Sequence, residues 1–426
     1  LVIGFVTALA LVLGPVAGAR EDIISGTVLL AFSAGWALLA VLSARWTDQP
    51  QPWALVPAGL MAALGAGDLV FAPGNDVLDA LGWVWPIVVP ALVIWMLVQS
   101  RRHLRGRTRP LLLYPVFAAL VLAAFGGGFE TVKESLDRNA YAMPGRLIDV
   151  GGHRLHIDCI GSGSPTVVLE GGYGETSAMW GWIAPTVAHN TRVCVYDRAG
   201  RGWSEPASGP QDGAAVAGDL HTLLDRARIA GPYVLVGHSF GGLYVLNFAA
   251  RYPRQVAGMV LLDSTSPDAF TKLPGYPGFY DAFRRATGLF PSLARLGVVR
   301  LVNATQFTSL PAPSRNLERA FGSTAQMTRS QRDEWAEAPT AMKQAQALKS
   351  LGDKPLIVIT AVKDAQVGWM PLQDALARLS TNSVHRRMPQ ATHSSLTDNE
   401  TDAAASSQAI LDVIEAVRAA KPLGQA

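Results

Sequence analysis

Charge-free apolar stretches dominate the first 130 residues and restrict what that part of the 426-residue chain can fold into. Residues 1–19, 23–44, 81–100 and 111–129 contain no Asp, Glu, Lys or Arg, and 53–71 contains only Asp68. Each reaches the roughly 20 residues needed to cross the hydrocarbon core of a bilayer. Five membrane-spanning helices are therefore expected. A buried soluble helical bundle is the alternative for such runs, and a cleaved signal peptide accounts for the first of them alone. Pro86, Pro90 and Pro115 fall inside the spans, where neighbouring helices can satisfy the backbone groups a proline frees.

The formal net charge is +3, yet Arg101, Arg102, Arg105, Arg107 and Arg109 share one loop, and without those five the balance turns negative. Such basicity is a topology signal, which excludes a nucleic-acid-binding patch as its explanation. By the positive-inside rule the 101–109 loop is cytoplasmic, and the preceding loop, with Asp76, Asp79 and no Lys or Arg, faces outward. Five spans then put the amino terminus in the cytoplasm and everything after residue 129 outside it.

From residue 146 the pattern changes to strands. Segments 146–150, 153–160, 166–169, 192–196, 233–236, 259–262, 356–360 and 384–388 read as strands, the central ones as continuous apolar runs buried on both faces. Helical patterns at 214–227, 240–251, 371–379 and 406–419 alternate with them, as a mostly parallel sheet requires. Gly151-Gly152 reads as a hairpin turn. The domains expected are a helical membrane domain over 1–130, a linker over 131–145 and an α/β domain over 146–426. The break in alternation at about 264–353 is too long for a bare loop, so it is expected to form a helical cap.

Gly237-His238-Ser239-Phe240-Gly241-Gly242 follows the strand at 233–236 directly. A strand that bends sharply into a helix exposes the hydroxyl at the bend, and Gly237 and Gly241 remove the side chains that would clash there. With Leu169-Glu170-Gly171-Gly172-Tyr173-Gly174 and Tyr196-Asp197-Arg198-Ala199-Gly200-Arg201-Gly202-Trp203-Ser204, this part of the chain resembles the α/β-hydrolase superfamily. The resemblance covers about two thirds of the chain and implies an eight-stranded, mostly parallel sheet. It makes Ser239 a nucleophile and the backbone N–H groups of Gly172 and Phe240 an oxyanion hole. Glu170 stands where the family usually carries His, so its carboxylate must be paired or turned away. The 196–204 loop is expected to be structural.

The base is expected to be a histidine after the last strand, where His393 lies. The orienting acid is expected at Asp364, after the seventh strand, with Asp263, after the sixth, as the alternative. Cys159 and Cys194, the only two cysteines, fit buried free thiols when read alone. The resemblance makes their strands antiparallel neighbours and so implies a disulfide. No Cys/His spacing resembles a metal site, and no cofactor is expected.

Family members that open epoxides or remove halides use Asp at the elbow, so Ser239 points to esters, thioesters or amides. The aromatic start of the cap and the membrane helices favour a small-molecule or lipid-like ester, with the bilayer as the other partner. A prolyl-aminopeptidase-like peptidase is the alternative within catalysis, with Glu170 or Glu175 receiving a substrate amine. Outside catalysis, the chain could be a membrane receptor or scaffold with a hydrolase-like binding domain.

Overall fold

In the computed structural model, which describes residues 1–104 and 113–424, the chain divides into two compact units. Arg105, Arg107 and Arg109 of the basic loop lie outside the described residues.

The first unit comprises Leu1–Ala140, Ala282–Val302 and Ser323–Ala325. Its helices are α1 (Val2–Leu13), α2 (Glu21–Trp46), α3 (Leu55–Phe71), α4 (Asn75–Leu81), α5 (Trp85–His103) and α6 (Tyr114–Ala140). Among the described residues, three spans are long and apolar enough to cross a membrane: Glu21–Trp46, Pro52–Phe71 and Tyr114–Ala140. A fourth is reached if α4 and α5, bent by 47°, count as one. The first expected span departs from this pattern, because α1 has 12 residues and at about 1.5 Å per residue falls well short of a bilayer core. The expected linker begins as helix. Residues 131–140 continue α6 without a break, since Thr131–Ala140 contains neither Gly nor Pro to stop it.

Both ends of this helical unit are chemically marked. Gln51, just after α2, donates to the carbonyl of His103 at 3.5 Å, so Arg45 in the last turn of α2 and Arg101 and Arg102 at the end of α5 share one end. At the other end of α2, Glu21 accepts from Arg295 Nε at 2.7 Å, and Asp79 accepts from Arg295 Nη1 at 2.8 Å. Arg300 forks onto Glu130 at 2.6 and 2.8 Å and reaches Asp137 at 2.7 Å. Both arginines lie in Ala282–Val302, so part of the expected 264–353 cap is built into the helical unit.

The second unit is an eight-stranded sheet in the order β1-β2-β4-β3-β5-β6-β7-β8. Its strands are β1 (Arg146–Asp149), β2 (Arg154–Ile160), β3 (Thr166–Glu170), β4 (Val193–Tyr196), β5 (Tyr233–His238), β6 (Val256–Leu262), β7 (Leu356–Ala361) and β8 (Ser383–Met388). β2 runs antiparallel to β1 and β4, and the remaining pairs are parallel. Strands β3, β5 and β7 are buried at every residue, as the unbroken apolar runs require. Cys159 and Cys194 are register partners on β2 and β4 and are joined by a disulfide.

The helices of the second unit begin with α7 (Ile183–Ala188), α8 (Gly213–Arg226), α9 (Phe240–Arg251) and α10 (Ala269–Lys272). The chain then passes through α11 (Tyr276–Thr287), α12 (Phe290–Arg295), α13 (Val298–Asn303), α14 (Ala312–Phe321) and α15 (Ala325–Ala345). It finishes with α16 (Trp369–Ala377), α17 (Ser395–Asp398) and α18 (Glu400–Ala419). The connections from β3 leave toward β4 on one side, and β5 takes up the other side of β3. Where strand order reverses in this way, the carboxyl ends of the strands open a crevice. The loop after β3 and the turn after β5 flank it.

Candidate active site

Ser239 occupies the bend between β5 and α9 with φ 53° and ψ −122°, a conformation that side chains rarely adopt. The surrounding glycines make the bend possible. A Cβ on Gly241 would lie 2.1 Å from the carbonyl oxygen of Glu170, and one on Gly237 would lie 2.7 Å from the Cα of Gly242. Backbone bonds hold the turn, with Ser239 N–H donating to Leu262 at 3.1 Å and Thr265 N–H donating to Ser239 at 2.9 Å. The backbone at the bend is thereby held in place.

His393 follows β8, and its Nε2 lies 2.9 Å from Ser239 Oγ. Its Nδ1 lies 2.6 Å from Asp263 Oδ2. The second oxygen of Asp263 accepts from Trp369 Nε1 at 2.7 Å, so neither carboxylate oxygen turns to solvent. Asp263 sits just beyond β6 at φ 42°, and this turn aims the carboxylate at the imidazole.

Asp364, the first choice from sequence, does not meet the ring. Its carboxylate accepts the backbone N–H of His393 at 3.2 and 3.4 Å, holding the loop and leaving the imidazole to Asp263. The turn after β7 reaches the peptide face of the histidine and not its side chain.

Gly172 and Phe240, the expected oxyanion donors, flank Ser239. A Cβ on Gly172 would lie 3.0 Å from Ser239 Cβ. Phe240 is the first residue of α9, where the N–H has no acceptor within the helix. The Gly172 N–H already has a partner, donating to Glu175 Oε2 at 2.5 Å. Glu175 Oε1 in turn lies 2.7 Å from His238 Nδ1, and His238 Nε2 lies 3.1 Å from the carbonyl oxygen of His393. Burial pushes the Glu175 carboxyl up, but the facing His238 and the Gly172 N–H more than offset this and hold it below its ordinary range. Burial pulls His238 down, and the facing Glu175 more than restores it, so the imidazole is held above its ordinary range.

Glu170 is paired, as its position demanded: it accepts from the Tyr196 hydroxyl and from Arg198. Arg198 also donates to the carbonyls of Gly171 at 2.6 Å and Gly172 at 2.7 Å, and Arg201 reaches the latter at 3.1 Å. Glu334 on α15 binds both arginines and accepts from Tyr244 at 2.9 Å. The 196–204 loop therefore does more than turn the chain, because its two arginines fix the backbone that presents Gly172. Arg198, Arg201, Glu334 and His238 were not singled out as site residues from sequence. Pairings among segments from 26 to 155 residues apart leave no local pattern.

Next to this network, Glu318 on α14 accepts from Thr176 N–H at 3.1 Å and Thr176 Oγ1 at 2.6 Å. Burial pushes its carboxyl from 4.5 up to about 8. A carboxyl with a raised folded-state pKa favours the fold fully below its unfolded value, and the contribution is lost as pH rises through the folded value. Between pH 5 and about 8 the parent is thus expected to lose stability relative to Glu318→Gln. Melting temperatures across that range check it, and parallel curves would show that Glu318 titrates normally.

A profile of the alpha/beta hydrolase fold matches residues 165–400, more than half of the chain. The chain is an α/β hydrolase. This α/β hydrolase is 28% identical over 293 residues to an uncharacterized protein of Schizosaccharomyces pombe, covering 60% of this chain and 53% of that one. It is 36% identical over 132 residues to 2-hydroxy-6-oxo-2,4-heptadienoate hydrolase of Pseudomonas putida, covering 29% of this chain and 46% of that one. It spans about half the length of these curated relatives. Among solved structures, the Cif epoxide hydrolase from Acinetobacter nosocomialis matches with a TM-score of 0.56 at 18% identity, covering 67% of this α/β hydrolase and 96% of that chain. That likeness is one of fold.

Proposed function

We propose that this α/β hydrolase is a membrane-anchored serine esterase that works through an acyl-enzyme. The observation that carries the reading is the unbroken relay Asp263–His393–Ser239, at 2.6 and 2.9 Å. Ser239 Oγ attacks the ester carbonyl carbon while its proton passes to His393 Nε2. The carbonyl electron pair moves onto oxygen, and the N–H groups of Gly172 and Phe240 receive that charge. Collapse expels the alcohol, which takes the proton from His393. Water then attacks the acyl group with His393 again as base, and the acid leaves.

Aromatic side chains beside the nucleophile favour an apolar ester. Trp335 lies 5.4 Å from the rings of both Phe240 and Tyr173, and stacks on Tyr280 at 5.8 Å. The peptidase alternative needs a carboxylate open to a substrate ammonium. Glu170 and Glu175 are both already engaged.

Anchoring rests on the long apolar helices and their two marked ends. With the Arg45 and Arg101 end cytoplasmic, the Glu21, Asp79 and Glu130 end that receives Ala282–Val302 is extracytoplasmic. This orientation does not depend on whether α1 crosses the membrane. The first test is chemical: the full chain treated with a fluorophosphonate is expected to gain one phosphonyl group, located on Ser239 by peptide mass spectrometry. Folded protein that stays unlabelled overturns the reading. Faster turnover of aminoacyl-nitroanilides than of p-nitrophenyl esters replaces esterase by peptidase.

A further inference from the structure

An anion-binding N–H that acyl transfer needs is already taken by an anion of the chain itself. We propose that the Glu175 carboxylate is the resident occupant of the oxyanion hole, which the substrate's carbonyl oxygen must displace before Ser239 attacks. The inference rests on the serine hydrolase reading and adds a gate to it.

Three geometric facts place the carboxylate there. Its Oε2 takes the Gly172 N–H at 2.5 Å. A Cβ on Gly172 would sit 3.0 Å from both Glu175 Cδ and Ser239 Cβ, so carboxylate and nucleophile crowd the same glycine. The other oxygen, Oε1, is moored to His238 at the elbow itself. His238 is well placed to hold it: Nε2 faces a carbonyl oxygen and Nδ1 a carboxylate oxygen, two acceptors that a ring protonated on both nitrogens satisfies by donating to each. His238 is thus a tether that lies outside the proton relay of Ser239.

The energetic consequence follows from the charges. An N–H bond to a carboxylate is roughly twice as strong as one to a neutral acceptor. A neutral ester carbonyl therefore competes poorly for Gly172 in the ground state, whereas an oxyanion competes on equal terms. Glu175 screens the hole against water and neutral ligands, at the cost of slower acylation.

The test compares the full-length parent with Glu175→Gln, which keeps size and removes charge, and Glu175→Ala, which removes the occupant. Three readouts are taken: the second-order rate of Ser239 phosphonylation, the affinity of a phenylboronic acid, and the melting temperature. Both variants are expected to label about tenfold faster and bind the boronate about tenfold more tightly than the parent, Glu175→Ala at least as much as Glu175→Gln. A purely structural role for Glu175 predicts slower labelling together with a lower melting temperature. If the parent labels at Ser239 and neither variant is faster, the gate is refuted and the esterase reading stands. If none of the three labels, both are refuted.

Discussion

Ser239→Ala is expected to lower ester turnover by the full chain by on the order of 10⁶-fold, with fluorophosphonate labelling lost altogether. The size of the effect comes from the covalent step, because removing Oγ removes the bond on which the acyl-enzyme depends. Stability should change little. The backbone bonds at Ser239, to Leu262 and Thr265, do not involve its side chain, and removing a strained residue's hydroxyl leaves the bend to the glycines around it. Measuring kcat for a p-nitrophenyl ester beside the melting temperature separates the two. Residual turnover within a hundredfold of the parent would mean that another group is the nucleophile.

Asp263→Asn is expected to reduce kcat by about 10⁴-fold, as loss of the orienting acid does in a serine triad. An asparagine here can keep the Trp369 bond through its oxygen, which turns its NH₂ toward His393 Nδ1. That donor forces the proton onto Nε2, the atom facing Ser239 Oγ, so the imidazole cannot accept the serine proton. Asp364→Asn is expected to stay within about threefold of the parent, since its amide oxygen can still accept the His393 backbone N–H, a bond worth about 1 kcal/mol. The contrast between the two variants is the measurement. A larger loss at Asp364 than at Asp263 would overturn the assignment.

Much of the second unit could be read from the chain because its signals are local. Apolar runs at 233–236 and 356–360 are too short for helices and too apolar for exposed strands, and the glycines at 237 and 241 mark the bend between them and the following helix. The roles expected of Ser239 and His393 come from the resemblance to α/β hydrolases, which sets their order along the chain. Choosing between Asp263 and Asp364 was not possible in this way, because both follow a strand and both approach His393. What separates them is direction. A φ of 42° at Asp263 turns its carboxylate to the ring, while Asp364 meets the peptide.

The charged support was illegible for a different reason. Arg198 and Arg201 sit in a loop whose glycines explain it locally, and Glu334 lies in an amphipathic helix among other charges. Their pairing depends on long-range closure. Apolar composition, likewise, marked α1 as a span but could not say where its helix ends.

The return of Ala282–Val302 to the helical unit bears on how the protein can be handled and how it has to be inherited. A fragment cut after Ala140 would take Arg295 and Arg300 into water without Glu21, Asp79, Glu130 and Asp137, and would expose the segment that carries them. Shortening this chain to its second unit therefore removes the mooring of Ala282–Val302. A gene that lost the amino-terminal helices would need new residues at 282–302 before the remainder could stand alone.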